Sequence, residues 1–61
     1  MKLKYFKETD SLYIDFSSKA SVESIEVSEG IVIDYDADNN IVGIDIDNAS
    51  KKIENHDNLI P

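Results

Sequence analysis

The sequence predicts a small α+β domain in which an antiparallel sheet of about five strands is followed by one short C-terminal helix. Apolar and polar residues alternate in most segments, which is typical of half-buried strands. Residues 31–46, IVIDYDADNNIVGIDI, place two β-branched arms around a polar turn and indicate a β-hairpin. A chain of 61 residues is also too short for a second domain. We expect one domain at residues 2–54 and a polar C-terminal tail at residues 55–61.

The first two strands are predicted at residues 2–6 and 11–16, around the polar turn KETD. Alternation places one set of apolar side chains inward: Leu3, Tyr5, Leu12, Ile14 and Phe16. Tyr13 points to the opposite side. Strand, short turn and strand together predict a first hairpin.

The third segment, residues 22–28, allows two interpretations. Ile25 and Val27 alternate with Glu26 as in a strand, whereas the spacing from Val22 to Ile25 also fits one helical turn. The β-branched content favours the strand, because such side chains lose rotamer freedom in a helix. Gly30 then marks a turn that needs a positive φ.

The hairpin at residues 31–46 is expected to supply an internal strand, because both sides of its first arm are largely apolar. Its turn, residues 36–40, contains two asparagines, which tolerate the left-handed region that tight hairpins need. The second arm directs Val42, Ile44 and Ile46 to one side. Gly43 predicts a bulge or a place where another group approaches the backbone closely.

A short helix is predicted at residues 49–54, with Asp47 or Asn48 as its N-cap. Ala49 and Ile53 are four residues apart and share one side of it. A helix this short has to dock on the sheet to be stable.

Charge and composition restrict the possible partners. The chain has a net charge of −7, and residues 20–47 contain eight acids and no base. Such a surface repels phosphate backbones and anionic lipid, so no nucleic-acid or membrane binding is expected. It suits a basic protein partner, although ordinary solvated strand faces carry acids too. Because the small core has no cysteine to staple it, a homo-oligomer is also expected.

The N-terminal segment predicts the location of the protein. The basic start MKLK is followed by YFKE, which interrupts any apolar run that a signal peptide would need. No segment is apolar for long enough to span a bilayer. We therefore expect a cytoplasmic protein, which the missing cysteines also fit.

The order of these segments resembles a known family. The stretches LKYFKETDSLYIDFS, ESIEVSEGIVIDYDADNNIVGIDI and DNASKKI are similar to a family of small prokaryotic proteins of unknown function, DUF2283. The resemblance covers about residues 2–53 and rests on turns and apolar alternation, so it implies the fold and no catalytic residues. The family pattern has a glycine late in the aspartate-rich turn, where this chain has Asn39 and Asn40. Some members lie beside small toxin-like proteins, which is the functional hint that the resemblance offers.

The aspartate-rich turn partly resembles a calcium-binding loop. Asp36, Asp38, Asn40 and Asp47 stand at positions one, three, five and twelve of such a loop. However, Ile41 stands where the loop needs glycine, and an aspartate replaces the longer bidentate glutamate. We expect a solvated turn without a metal ion.

No catalytic constellation is predicted. His56 lies in the polar tail with only Asp57 beside it, and Ser17, Ser18 and Ser21 have no base in a known motif. The carboxylates Asp10 and Asp15 flank Tyr13, an arrangement that is common in strands and turns without catalysis. The sequence therefore predicts no enzyme, no catalytic, cofactor-binding or metal-binding residue, and no cofactor.

The function expected from the sequence is a non-enzymatic protein-interaction module, and an antitoxin-like partner of a small basic protein is its most specific form. A surface patch of Tyr13, Ile41 and the terminal residues Leu59 and Ile60 is the expected contact. Tyr35 is assigned to the core. The alternative is a ligand- or cation-binding domain that uses the aspartate-rich turn.

Overall fold

A computed structural model describes residues 1–54 of the chain as one antiparallel sheet followed by one short helix, which confirms the predicted α+β class. The elements are β1 (Lys2–Phe6), β2 (Ser11–Asp15), β3 (Glu23–Ser28), β4 (Ile31–Tyr35), β5 (Ile41–Ile46) and α1 (Ala49–Lys52). His56, Leu59, Ile60 and the rest of the predicted tail lie outside the described residues.

The strands are arranged in the order β1-β2-β5-β4-β3. The first hairpin is β1–β2, and the hairpin at residues 31–46 is β4–β5, as predicted. β4 is paired on both sides, and β5 is the middle strand. The third segment is a strand, β3, and Val22 lies just before it. The strand interpretation of that segment is therefore confirmed.

The sheet has one apolar face. Strand pairing aligns one side chain from each of the five strands in a row across it: Leu3, Ile14, Ile44, Ile33 and Ile25. A second row, nearer to α1, contains Tyr5, Leu12, Ile46 and Ile31. Since side chains alternate between the two sides of a strand, the opposite face carries the polar positions. We call the two sides the apolar face and the acidic face.

Few side chains of the described chain are fully buried. Leu12, Val42 and Ala49 are the buried apolar residues, with exposed fractions of 1%, 4% and 1%. Phe16 was predicted to point inward, but it follows the last residue of β2 and is 44% exposed. Its backbone N–H still donates to the Val42 carbonyl at 2.9 Å, so the side chain is exposed where the pairing of β2 with β5 ends.

The helix is shorter than predicted. It ends at Lys52, because Ile53 adopts an extended conformation with φ −106° and ψ 117°. Asn48 occupies the N-cap position, but its backbone is left-handed and its side chain caps no helical N–H group. The predicted N-cap position, Asn48, is therefore confirmed, although its side chain does not make the capping hydrogen bond.

Asp10, in the turn between β1 and β2, supplies the missing cap. Its carboxylate accepts hydrogen bonds from the Ser50 backbone N–H (3.2 Å) and the Ser50 hydroxyl (2.6 Å). The Tyr5 hydroxyl donates to the same carboxylate at 2.7 Å. The backbone carbonyl of Asp10 accepts from the Ala49 N–H at 2.8 Å. This set of contacts, the Asp10 clasp, joins the first turn of the chain to its last helix.

Candidate interaction surface

The acidic face combines carboxylates from four strands and the end of the sheet. Register and alternation place these acids on it: Asp15, Glu26, Asp34, Asp45 and Asp47. Two bases, Lys2 and Lys4, occupy the same face on the edge strand β1. The face is therefore negative over its centre and positive only along one edge.

Tyr13 lies across the middle of this face. Its hydroxyl donates a 2.8 Å hydrogen bond to Asp34 Oδ2, so the side chain spans from β2 over β5 to β4. It passes directly over Gly43, where a Cβ atom would overlap with the Tyr13 hydroxyl and ring. The sequence prediction of a close approach at Gly43 is confirmed, and the pairing of β4 with β5 is also irregular there, after Asp34. Tyr13 thus lies on the side away from the core, as predicted, where it is half-buried and hydrogen-bonded. Its role in a contact patch stays a prediction.

Both carboxylate oxygens of Asp34 accept hydrogen bonds from side chains of other strands. The Ser24 hydroxyl donates to Asp34 Oδ1 at 2.6 Å, while Tyr13 occupies the other oxygen. These side chains lie ten and twenty-one residues from Asp34 in sequence. The carboxylate therefore ties β2, β3 and β4 together on one face.

Substituting Gly43 with alanine tests this close approach. We expect Gly43→Ala to cost about 1–3 kcal/mol, because the new methyl group displaces Tyr13 and breaks its bond to Asp34. Urea unfolding gives the cost. A double-mutant cycle is the control: in a Tyr13→Ala background the same substitution has no ring to displace, and its cost should fall close to zero. An equal cost in both backgrounds would contradict the steric explanation.

The hydrogen bond from Tyr13 to Asp34 raises the pKa of Tyr13 from its usual 10 to about 12, assisted by burial and by the charges of Asp34, Asp15 and Asp45. The folded chain keeps this proton at a pH where the unfolded chain releases it. The free energy of unfolding is therefore expected to fall as pH rises from about 10 towards 12. Urea unfolding at pH 8 and at several alkaline values measures this slope. Tyr13→Phe should show a smaller slope, and an unchanged slope would contradict the assignment.

Burial and the neighbouring carboxylates of the acidic face raise the pKa of Asp45. Burial is the main cause, followed by the charges of Asp47 and Asp34. A raised pKa means that the ionised form is less favourable in the folded chain than in the unfolded one. The charge on Asp45 therefore opposes folding at neutral pH, and a cation placed beside it would remove part of that cost.

A shallow open depression of about 530 Å³ lies over the same region. Its lining combines charged, hydroxyl and apolar groups from all five strands: Lys4, Phe6, Tyr13, Ser24, Val32, Asp34 and Asp45. Carboxylates beside the apolar side chains of Phe6 and Val32 are suited to long basic side chains, whose stems are apolar and whose ends are charged.

The aspartate-rich turn is held by its first residue. Asp36 Oδ1 accepts from the N–H groups of Asp38 and Asn40, both at 2.9 Å, and Asn39 adopts a positive φ of 65°. The hydrogen bond from Asn40 is the main cause of a lowered Asp36 pKa. Asp36 is only 6% exposed, so the expectation of a fully solvated turn is wrong for this residue. Its carboxylate organises the turn from inside.

We expect no saturable calcium binding by this turn at micromolar concentrations. Asp36 Oδ1, which would be the first ligand, already accepts two backbone hydrogen bonds. Among residues 1–54, no three histidine, cysteine or acidic side chains are grouped to hold a metal ion. Calorimetric titration with Ca²⁺ measures this directly. Saturable heat of integral stoichiometry would contradict the prediction and favour the cation-binding alternative.

The other candidates from the sequence do not assemble into a site within the described part of the chain. Asp10 is used by the helix, whereas Asp15 lies on the acidic face opposite Gly43. Ser17 accepts from the Lys19 N–H and Ser21 donates to a backbone carbonyl, so both act in the loop.

The comparison with protein-family models matches residues 2–50 to DUF2283, described as a protein of unknown function. This match covers most of the chain. The chain belongs to the DUF2283 family. The resemblance stated from the sequence is thereby confirmed. No curated protein and no solved structure matches this DUF2283 chain.

Within residues 1–54 of this DUF2283 protein, no helix is long and apolar enough to cross a membrane.

Proposed function

We propose that this DUF2283 protein is a non-enzymatic interaction module whose acidic face binds a basic protein, as an antitoxin-like partner would. The observation that carries the proposal is the separation of charge on the sheet. Carboxylates occupy the centre of one face, and the apolar row occupies the other. A negative face of this kind steers a basic partner and speeds encounter at low salt.

The state of Asp45 supports the same proposal. Burial and then the neighbouring carboxylates raise the pKa of Asp45, so a lysine or arginine of a partner would relieve an unfavourable charge. The apolar side chains of Phe6 and Val32 in the same depression would contact the stem of that basic side chain.

The chemistry of the face favours binding over catalysis. Tyr13, with a pKa of about 12, is poorly matched to proton transfer at neutral pH. Both oxygens of Asp34 accept hydrogen bonds from neighbouring side chains, which fix the carboxylate in place. The cation-binding alternative is less well supported, because Asp36 already organises its own turn.

Two double variants, each lacking two negative charges, serve as baits in affinity capture and test the proposal. Asp15→Asn/Asp45→Asn removes two charges from the acidic face, while Asp38→Asn/Glu54→Gln removes two charges elsewhere. Neutralising Asp45 removes an unfavourable charge, so the first bait should remain folded, which circular dichroism checks. Affinity capture from the native host, and co-expression with the product of the neighbouring gene, provide the partner.

We expect wild type and the Asp38→Asn/Glu54→Gln bait to retain the same basic protein, and the acidic-face bait to lose it. Binding should also weaken as ionic strength rises. Equal capture by both double variants, or an acidic partner, would contradict the proposal.

A further inference from the structure

The apolar face lacks a second layer over most of its area within the described residues. The row of Leu3, Ile14, Ile44, Ile33 and Ile25 crosses all five strands. Four of these side chains are half-buried by their neighbours in the sheet, and Ile25 is 44% exposed. In the described part of the chain, α1 is the only element outside the sheet, and it has four residues.

The position of α1 leaves the central row uncovered. The helix is fastened to the turn after β1 through Asp10, and Lys52 Nζ donates to the Glu29 carbonyl in the turn after β3. Both turns lie at the same end of the sheet. The helix therefore covers the end of the sheet at which Leu12 is buried. Within residues 1–54, no helix or strand lies over the row that contains Ile33 and Ile44.

We propose that the apolar face packs against the same face of a second copy of this chain, forming a two-fold symmetric sandwich of two sheets. Sheets stack face to face at about 10 Å, with interdigitating side chains from the two inner faces. A two-fold interface needs a self-complementary surface, and a continuous row of isoleucine and leucine provides one.

The area of the face suits a stable dimer. Five strands spaced at about 4.8 Å, each with about five residues at 3.4 Å, cover roughly 400 Å² in projection. The accessible surface of such a corrugated face exceeds its projection, which brings it towards the roughly 800 Å² that standard protein interfaces bury per partner.

The charge distribution favours a second copy as the occupant. Each chain has a net charge of −7, which opposes association through most of the surface. In the central row, however, every side chain is uncharged. The acid Glu23 lies outside this row, opposite Tyr35 at the β3 edge of the sheet. A face-to-face dimer keeps both acidic faces outward, separated by two sheet layers and by more than the Debye length of about 8 Å at physiological salt.

This inference does not depend on the proposed binding of a basic protein, because it uses the opposite face of the sheet. If both hold, the dimer presents two acidic faces in opposite directions.

Sedimentation velocity of the full chain, from low micromolar to near-millimolar concentration, tests the proposal. Ile25→Glu introduces a charge into the apolar row at a position that is 44% exposed, so the monomer fold should tolerate it. Val22→Glu is the control, because Val22 is 65% exposed and precedes β3, outside the row. Circular dichroism confirms that each variant is folded.

We expect wild type and Val22→Glu to sediment as dimers with similar dissociation constants, and Ile25→Glu to raise the dissociation constant at least tenfold. Wild type that remains monomeric at every concentration would overturn the proposal and leave the apolar face to another protein or to residues 55–61. A dimer with the same dissociation constant in wild type and Ile25→Glu would also overturn it, since the contact would then use a different surface, such as an edge strand.

Discussion

Leu12→Ala is expected to unfold most of the protein. Leu12 is the largest fully buried side chain of the described chain, with 1% of its surface exposed. Its loss removes apolar contacts and leaves a cavity, which together cost about 3–4 kcal/mol. A domain of this size without disulfides has only about 3–5 kcal/mol of stability from its core. Urea unfolding followed by far-UV circular dichroism measures the shift in midpoint.

Two other substitutions calibrate that result. Ile44→Ala should cost less, about 2 kcal/mol, because Ile44 lies in the apolar row and is only half-buried. Asp38→Asn, at an exposed position of the aspartate-rich turn, should change the free energy of unfolding by less than about 0.5 kcal/mol. If Leu12→Ala has the midpoint of wild type, the core is not where the structure places it.

Asp10→Ala is expected to destabilise the fold by about 2–3 kcal/mol. The substitution removes the carboxylate that accepts from Tyr5 and from both donors of Ser50, so the last helix loses its cap. It also places alanine at a φ of 53°, in the left-handed region that disfavours a Cβ atom without a compensating hydrogen bond. Chemical denaturation gives the total cost.

Asp10→Gly separates the two contributions. Glycine adopts the left-handed conformation without strain but supplies no carboxylate. The difference between the alanine and glycine variants therefore measures strain, expected at about 1 kcal/mol, and the remaining loss measures the clasp. Amide hydrogen exchange should show faster opening of α1 in both variants. Protection of α1 equal to wild type would show that the helix is held by other contacts.

The strands of this fold were predictable from the sequence because their signal is local. Alternation in KLKYF and SLYID is visible within five residues, and each strand has the same period in the sheet. Gly43 was informative for a similar reason, since an absent side chain within an alternating strand implies that another group needs the space.

The contacts that complete the fold were not predictable from the same signals. Asp10 caps a helix forty residues away, and Tyr13 bonds to Asp34 at a distance of twenty-one residues. A pattern along the chain shows which positions are polar, but it does not show which residue each of them contacts across the sheet. The helix was predicted too long because the spacing of Ala49 and Ile53 fits a helix, although Ile53 is extended. The separation of an acidic centre from an apolar row became visible only once the register was known.

The strand order also has a consequence for how the chain folds. β1 pairs with β2, and β3, β4 and β5 follow one another in a meander, so both units form through contacts that are short in sequence. Among the strand pairings of residues 1–54, the seam between β2 and β5 is the one that joins them. The Asp10 clasp and the hydrogen bond from Tyr13 to Asp34 add side-chain contacts between the two units. Each hairpin can close in microseconds, whereas the seam has to wait until the intervening chain brings its two edges together. We therefore expect docking of the two units along this seam to limit the rate of folding.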